Sequence, residues 1–432
     1  MILRDPVHGL VAFESREERI IEDLIDTPEV QRLRRVRQLG VTSLVFPGAE
    51  HSRFVHAIGT AFVMKLLIER LRAIDEDLPP VQRLTEERAT EALAAALLHD
   101  VGHGPLSHLF EDVFPGVPPH EKWTEEIVLD SSTGVHRVLS RFDPSLPRRV
   151  ADLVHGRHDL AYLAKAVSGE LDVDRCDYLL RDAHATGVRY GLYDLDWLLR
   201  SLRFTSARGG GEQTAPALAI DGAKGLPAVE AFIVARLFMF QQVYLHKAAR
   251  AAEWMIRVAV ARAGQVLREG GKLDLIPYAV AAISRDQQVR LGDYLELDDD
   301  VLWGALRAWE RASDAPLADL ARRIRTRSLF KTLELLGEHG TEDGRQRALL
   351  IARDIARLRG LDAGVYVGLD VASVAAFGSD TEPLMVVYAH GPARPLHEVS
   401  FLLGRLAGQV LSRVRLVLAP ELREPVRGAL GL

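Results

Sequence analysis

Residues 85–108 read TEERATEALAAALLHDVGHGPLSH. Thr85, followed by Glu86 and Glu87, has the chemistry of a helix N-cap with an acidic first turn. From Ala92 to Leu98 the helix is almost wholly apolar, so it belongs in the centre of a core. It delivers His99 and Asp100 at its C-terminal end, where Gly102, Gly104 and Pro105 stop it. Four of the 15 histidines, His99, His103, His108 and His120, fall in this one region, a bunching that scattered core histidines would not produce.

An adjacent His-Asp pair offers an imidazole nitrogen and a hard carboxylate oxygen to one ion. That mixed set suits Mn, Fe, Zn or Ni rather than Ca. Further donors are available on both sides. His56 lies near the start of a helix that Ser52 would cap, with Arg53 about one turn earlier on the same face. Downstream, ELDVDRCDYLLRD (170–182) has an amphipathic pattern in which Asp174, Tyr178 and Arg181 or Asp182 share a face. An acidic residue on a solvated helix is the plainer reading. Leu171, Val173, Leu179 and Leu180 bury this helix, however, and carboxylates on a buried face need a partner such as a cation.

Working outward, the first 300 residues read as mostly helical. Helical spacing runs through Ile20, Ile21, Leu24 and Ile25, restarts after Thr27-Pro28, and continues from Ser52 through Leu71. Long helical patterns return from Pro227 to about Arg268 and through 301–335. Between them, near 205–225, a Gly-rich stretch reads as a loop or small hairpin. In the tail, 364–371, 384–389 and 413–420 read as strands, with a helix from Ser400 to Leu411.

The chain has 432 residues, 54 basic and 60 acidic side chains and a formal charge of −6. Its ordinary hydrophobic and charged fractions exclude wholesale disorder and predict two or three domains. A mildly acidic chain does not coat nucleic acid by general electrostatics, so any polyanion must be bound locally. The single cysteine, Cys176, forbids an internal disulfide and a four-cysteine zinc site. Arg4 and Asp5 stand where a signal peptide needs its apolar stretch, and no segment shows a long uninterrupted apolar run. The expected setting is cytoplasmic, with no membrane partner. Only seven of the basic residues are lysines; a GC-rich genome is the plain cause, and planar forks suited to phosphate are the functional one.

His56, His99-Asp100 and Asp174 together resemble the H…HD…D signature of HD-domain metal-dependent phosphohydrolases. The similarity is closest to the deoxynucleoside triphosphate triphosphohydrolases, the group that includes the vertebrate antiviral enzyme of that activity. It rests on DPVHG (5–9), DTPEVQRLR (26–34), RQLG (37–40), VFPG (45–48), SRFVH (52–56), HDVGHGPLSH (99–108), DVDRCDY (172–178), YLHK (244–247) and RSLFK (327–331), in family order over about residues 1–335. The implied fold is mainly α, with a helical HD-domain core over 1–335 and a smaller α+β domain over 336–432.

The resemblance implies a divalent metal held by His56, His99, Asp100 and Asp174, with Mg or Mn accompanying the substrate. His103, His108, Glu111 and His120 would form the catalytic cluster, Glu111 standing where the family usually has aspartate. Arg53 would clamp the phosphates, with Arg175 as a second cation. Gln38, Tyr178 and Asp182 would read the sugar 3′-hydroxyl, and Tyr244 would pack near the base or sugar. Substrates would be deoxynucleoside triphosphates (dNTPs), and the products nucleoside and inorganic triphosphate.

Larger relatives are switched on by nucleotides bound between subunits. For a first, guanine-reading effector site, Asp26, Gln31, Arg34 and Arg327 stand in place, while a usual lysine is replaced at Met1. A basic solvated face is the equal alternative for the arginines. For a second site Val45, Phe46, His246, Lys247 and Lys224 persist, but Trp197, Gly222, Ala228 and Gly404 replace arginine, asparagine or lysine. Loss of those cations predicts a simpler activation pattern. A homotetramer is implied, with a dimer as its simpler precursor. Other readings keep the site but change the role: a nucleotidase, an alarmone hydrolase, or a non-catalytic nucleotide-sensing assembly.

Overall fold

A computed structural model describes residues 1–107, 118–206, 215–285, 287–377 and 383–432. His108 and Glu111, both expected in the catalytic cluster, lie outside the described residues. The chain opens with a hairpin, β1 (Ile2–Asp5) and β2 (Gly9–Ala12), paired antiparallel from Ile2↔Ala12 to Asp5↔Gly9. Short helices at Arg19–Ile25 and Pro28–Arg32 follow, with Thr27 at the break between them.

Four helices build the site. They are α1 (Arg53–Arg72), α2 (Glu86–Leu98), α3 (His120–Leu129) and α4 (Val173–Thr186). Helix α1 packs on both α2 and α4. Every residue of α2 from Ala92 to Leu98 is buried, as its apolar run demands. Thr85 caps α2 by accepting from the Arg88 amide, and Asp172 caps α4 by accepting from Arg175. Ser52 occupies the N-cap position of α1 but makes no side-chain cap bond.

The expected helical run from Pro227 to Arg268 is two helices, α5 (Leu226–Met239) and α6 (Lys247–Arg268), joined by a π-helical turn at Phe240–Tyr244. Such a turn inserts one residue per hydrogen-bonded ring and often marks a site; here it aims Tyr244 at α4. By length and composition Leu226–Tyr244 is apolar enough to cross a membrane. In this fold its Phe232 and Met239 are buried in the core.

The segment 301–335 is not helical throughout: helices Asp299–Trp309 and Ala315–Arg325 give way to β5 (Lys331–Glu334). The 205–225 stretch carries a hairpin, β3 (Leu202–Ser206) and β4 (Pro216–Asp221). In the tail, residues 363–366 form a helical turn, and the strands are β6 (Val367–Ala375), β7 (Met385–Val387), β8 (Arg394–Pro395) and β9 (Val410–Leu418). The helix expected to reach Leu411 ends at Leu406, because Gly408 turns the chain at φ 71° and Val410 starts β9.

One sheet has the order β3-β4-β7-β8, with β4 and β7 parallel; the other is antiparallel, β5-β9-β6. Helix α7 (Glu342–Leu358) and helix α6 both pack against β6. Arg250 of α6 reaches Asp370 of β6, and Arg415 of β9 donates to the Leu245 carbonyl at 2.9 Å. The C-terminal sheet is therefore tied to the end of the π turn.

Candidate functional site

Helix α2 ends at Leu98 and presents His99 and Asp100 to the first turns of α1 and α4. Nε2 of His56 stands 3.0 Å from Oδ1 of Asp174 and 3.6 Å from Oδ2 of Asp100. Nε2 of His99 stands 3.5 Å from the same Asp174 oxygen and 3.4 Å from Oδ1 of Asp100. Both nitrogens are buried and make no hydrogen bond. Ligand atoms placed roughly 2.0–2.2 Å from one ion lie about 3–3.6 Å from each other, which is the spacing seen. His56, His99 and Asp174 thus form a cluster that fits a divalent metal, with Asp100 beside both imidazoles and also grouped with His103 and His120.

The charges are balanced to match. Burial disfavours an imidazolium at His56, but the adjacent carboxylates of Asp174 and Asp177 outweigh it and push its pKa up to about 10. At His99, burial is likewise outweighed by Asp100 and Asp174, and its pKa rises. Burial would raise Asp100, yet the charges of Arg53, His99 and His103 hold it well below the usual carboxylate range. A proton and a metal compete for such nitrogens.

One layer further out lies a network in which the sequence reading gave no part to Asp177, Arg181, His8 or Asp5. Nδ1 of His56 donates to Oδ2 of Asp177 at 2.8 Å, which turns Nε2 toward the donor cluster. Asp177 is fully buried. It is held by Arg181 through two bonds of 2.8 Å and by Nε2 of His8 at 2.6 Å. Asp5 takes the remaining nitrogen of Arg181 at 2.8 Å, and its other oxygen accepts from the Val7 and His8 amides. The N-terminal hairpin is thereby locked onto the metal-side histidine. Gly59 makes this possible: a Cβ there would stand 2.0 Å from Oδ1 of Asp177 and 2.2 Å from Arg181.

The rings of His103 and His120 stack with centroids 3.7 Å apart, and Nε2 of His103 is 3.2 Å from Asp100. Burial, helped by the Arg53 charge, puts the His103 pKa well below the ordinary histidine value. Gly102 lets this loop meet α3, since a Cβ there would fall 2.3 Å from the His120 carbonyl. Arg53 is buried and bonded to Asp100 and to the Ser107 hydroxyl. Leu106 and Ser107 both have left-handed backbone, φ 55° and 60°, a strain of order 1 kcal/mol or more each. The Leu106 amide bond to Asp299 at 2.7 Å and the Ser107 bond to the Arg37 carbonyl at 2.9 Å hold it.

These groups open into a cavity of about 660 Å³ lined also by Gln38, Arg175, Tyr178, Asp182 and Tyr244, a volume suited to a small molecule. All six residues named from the sequence for substrate, Arg53 included, are therefore together. Asp182 accepts from the Tyr244 hydroxyl at 2.7 Å and pairs with His51 at 2.8 Å; His51 was not anticipated. Arg175 is bonded to Asp172 at 2.7 Å and to the Gly169 carbonyl. Cys176 is buried, and burial pushes its thiol pKa up, as befits a packing residue.

The residues named for effectors stand elsewhere. Phe46 meets His246 edge-on, with centroids 5.6 Å apart, and Arg327 donates to the Leu44 carbonyl at 2.7 Å, beside Val45. Lys247 starts α6 next to His246. Gln31 accepts from Arg34 at 2.8 Å, and Arg34 stacks on Phe54 at 3.6 Å. Asp26 ends the helix Arg19–Ile25. Gly222 and Gly404 are enclosed, since a Cβ would meet Tyr388 at 2.4 Å or the His397 carbonyl at 2.5 Å, and Ala228 is buried.

Residues 53–182 match the HD domain, and residues 194–271 match the HD associated region. The uncharacterized protein YwfO of Bacillus subtilis (strain 168) is 33% identical over 415 residues, 94% of this chain and 89% of that protein. A crystal structure of a phosphohydrolase from Bacteroides thetaiotaomicron VPI-5482 matches with a TM-score of 0.81 at 27% identity, covering 97% of this chain and 99% of that one. The deoxynucleoside triphosphate triphosphohydrolase SAMHD1 of Homo sapiens is 28% identical over 364 residues, 76% of this chain but 54% of that protein, so the chain spans about half of that relative's length. With its His/Asp site for a divalent metal, the chain belongs to the HD-domain phosphohydrolases.

Proposed function

We propose that this chain hydrolyses dNTPs to deoxynucleoside and inorganic triphosphate. One observation carries the reading: a single cavity is lined by His99, Asp100 and Asp174, by Arg53 and Arg175, and by Tyr178, Asp182, Tyr244 and Gln38. That set offers partners for the α-phosphate, the phosphate tail and the sugar. Similarity to the SAMHD1 triphosphohydrolases supports it from outside the site.

When bound, a divalent ion supplies Lewis acidity to a phosphoryl oxygen and lowers the pKa of water. The protein's own groups do the rest. Arg53, buried against Asp100, offers a guanidinium to phosphate oxygens, and Arg175 adds a second held by Asp172. The stacked pair His103 and His120 stands beside Asp100, placed to accept the proton of the attacking water and to return one to the leaving oxygen. The water oxygen bonds to the α-phosphorus while the bond from phosphorus to O5′ breaks, and O5′ leaves protonated. Asp182, with both oxygens engaged by His51 and Tyr244, is oriented to accept from the sugar 3′-hydroxyl. Gln38, whose buried Oε1 makes no hydrogen bond, lines the same cavity.

The metal is proposed as Mn, Fe, Zn or Ni, and the assembly as a homo-oligomer in the cytoplasm, with a simpler activation pattern than one that needs two different nucleotides. Purified protein incubated with manganese and each dNTP, followed by chromatography of the products, tests the reaction. Triphosphate with nucleoside supports it; phosphate from monophosphates alone would replace it with a nucleotidase.

A further inference from the structure

The cavity does not end at the metal donors. It is lined also by Leu39, Gly40, Val41, Thr42, Tyr178, Tyr244 and Leu245. Arg250 and Glu253, from the first turns of α6, line the same cavity. The short helical turn that begins at Thr42 packs on α6.

Arg250 is fixed in orientation. Its Nη2 and Nε donate to Oδ1 of Asp370 at 2.6 and 3.1 Å, its Nη1 donates to Oε2 of Glu253 at 2.9 Å, and Arg415 stands 3.8 Å behind Asp370. Among the described residues Glu253 accepts from Arg250 alone, so Oε1 and a lone pair of Oε2 remain for a ligand. Glu253 titrates under burial and the charges of Arg250, Asp370 and Arg257, none of them a metal donor.

We propose that Glu253 and Arg250 form a base-reading subsite that selects a guanine edge. Guanine presents two adjacent N–H donors, N1 and N2, beside the O6 acceptor. A carboxylate takes the two donors side by side, and an adjoining guanidinium meets O6. Adenine and cytosine give a carboxylate one amino donor next to a lone pair, and thymine sets its single N–H between two carbonyls. Leu39, Val41 and Leu245 supply apolar surface for the ring faces. The inference rests on the triphosphohydrolase reading for its reaction, while base recognition itself is measured separately from turnover.

The experiment compares wild type, Glu253→Gln and Glu253→Ala as manganese-loaded full-length protein. Binding of the four deoxynucleosides is measured by calorimetry, and kcat/KM for the four dNTPs by product release. Wild type is expected to prefer guanine in both, and both variants are expected to lose about 10- to 100-fold of that preference, with dTTP changing far less. If no dNTP is turned over but the guanine preference and its loss are seen in binding, the subsite stands and the triphosphohydrolase reading falls. If wild type binds and turns over the four bases alike, or the variants weaken all four equally, the subsite is overturned and the reaction stands. Absence of binding to any deoxynucleoside also overturns it.

Discussion

His8, in the turn of the N-terminal hairpin, and Asp177, in the third position after the metal-side Asp174, are joined by a 2.6 Å hydrogen bond across 169 residues of sequence. Asp177 is the residue that orients His56, so the hairpin takes part in building the metal centre. Outer partners of this kind contribute about 10- to 100-fold to metal affinity. His8→Ala and Asp177→Asn are expected to lower manganese affinity by that order with helical content unchanged, and His8→Gln to restore part of it. Metal titration followed by elemental analysis measures this; variants that bind metal like wild type would show the network to be packing only.

Gly59 gives a test of the same network through stability. Replacing a helical glycine by alanine ordinarily gains up to about 1 kcal/mol. Here the new methyl would lie 2.0 Å from a buried carboxylate oxygen, and overpacking of that kind costs about 1–3 kcal/mol. Gly59→Ala is therefore expected to lower the melting temperature and to loosen metal binding together. A rise in melting temperature would mean that α1 and α4 separate freely at this point.

The proton-handling pair separates from the metal donors by mutation. His99→Ala with Asp100→Ala should abolish both metal and turnover, whereas His103→Ala or His120→Ala should keep the metal and lose about 100- to 10,000-fold in kcat. Retained turnover in the first variant would overturn the site assignment.

Burial pushes Glu253 up to about 7, against the opposing charge of Arg250; Asp370 raises it further and Arg257 lowers it. Its ionised form predominates above that value, and only that form accepts two N–H donors freely. The ratio of dGTP to dTTP kcat/KM is thus expected to rise from pH 6 to pH 8, roughly one unit either side of that value. Taking the ratio cancels pH effects on metal and catalysis common to both substrates. A flat or falling ratio would count against ionised Glu253 as the reader.

Helix α2 and the donors at its end were legible because burial, capping and ligand chemistry all fall within a short segment. The role of His8 and Asp177 was not: each residue is visible, but no local period links a hairpin turn to a helix face so far along the chain. Lys331–Glu334 continues a helical pattern in sequence yet forms β5, because its pairing with β9 is a long-range contact. The π turn escaped notice for a related reason, since Phe240–Tyr244 keeps the apolar character of α5 while one added residue redirects Tyr244. Turnover of each dNTP with and without GTP or a second dNTP should show no strict need for two different nucleotides.

The central claim is attack of water on the α-phosphorus with departure of the nucleoside. Hydrolysis of a dNTP in heavy-oxygen water, with both products examined by mass spectrometry, tests it most directly. The label is predicted to enter inorganic triphosphate and to be absent from the nucleoside 5′-hydroxyl. Label in the nucleoside, or release of pyrophosphate or phosphate in place of triphosphate, would contradict it.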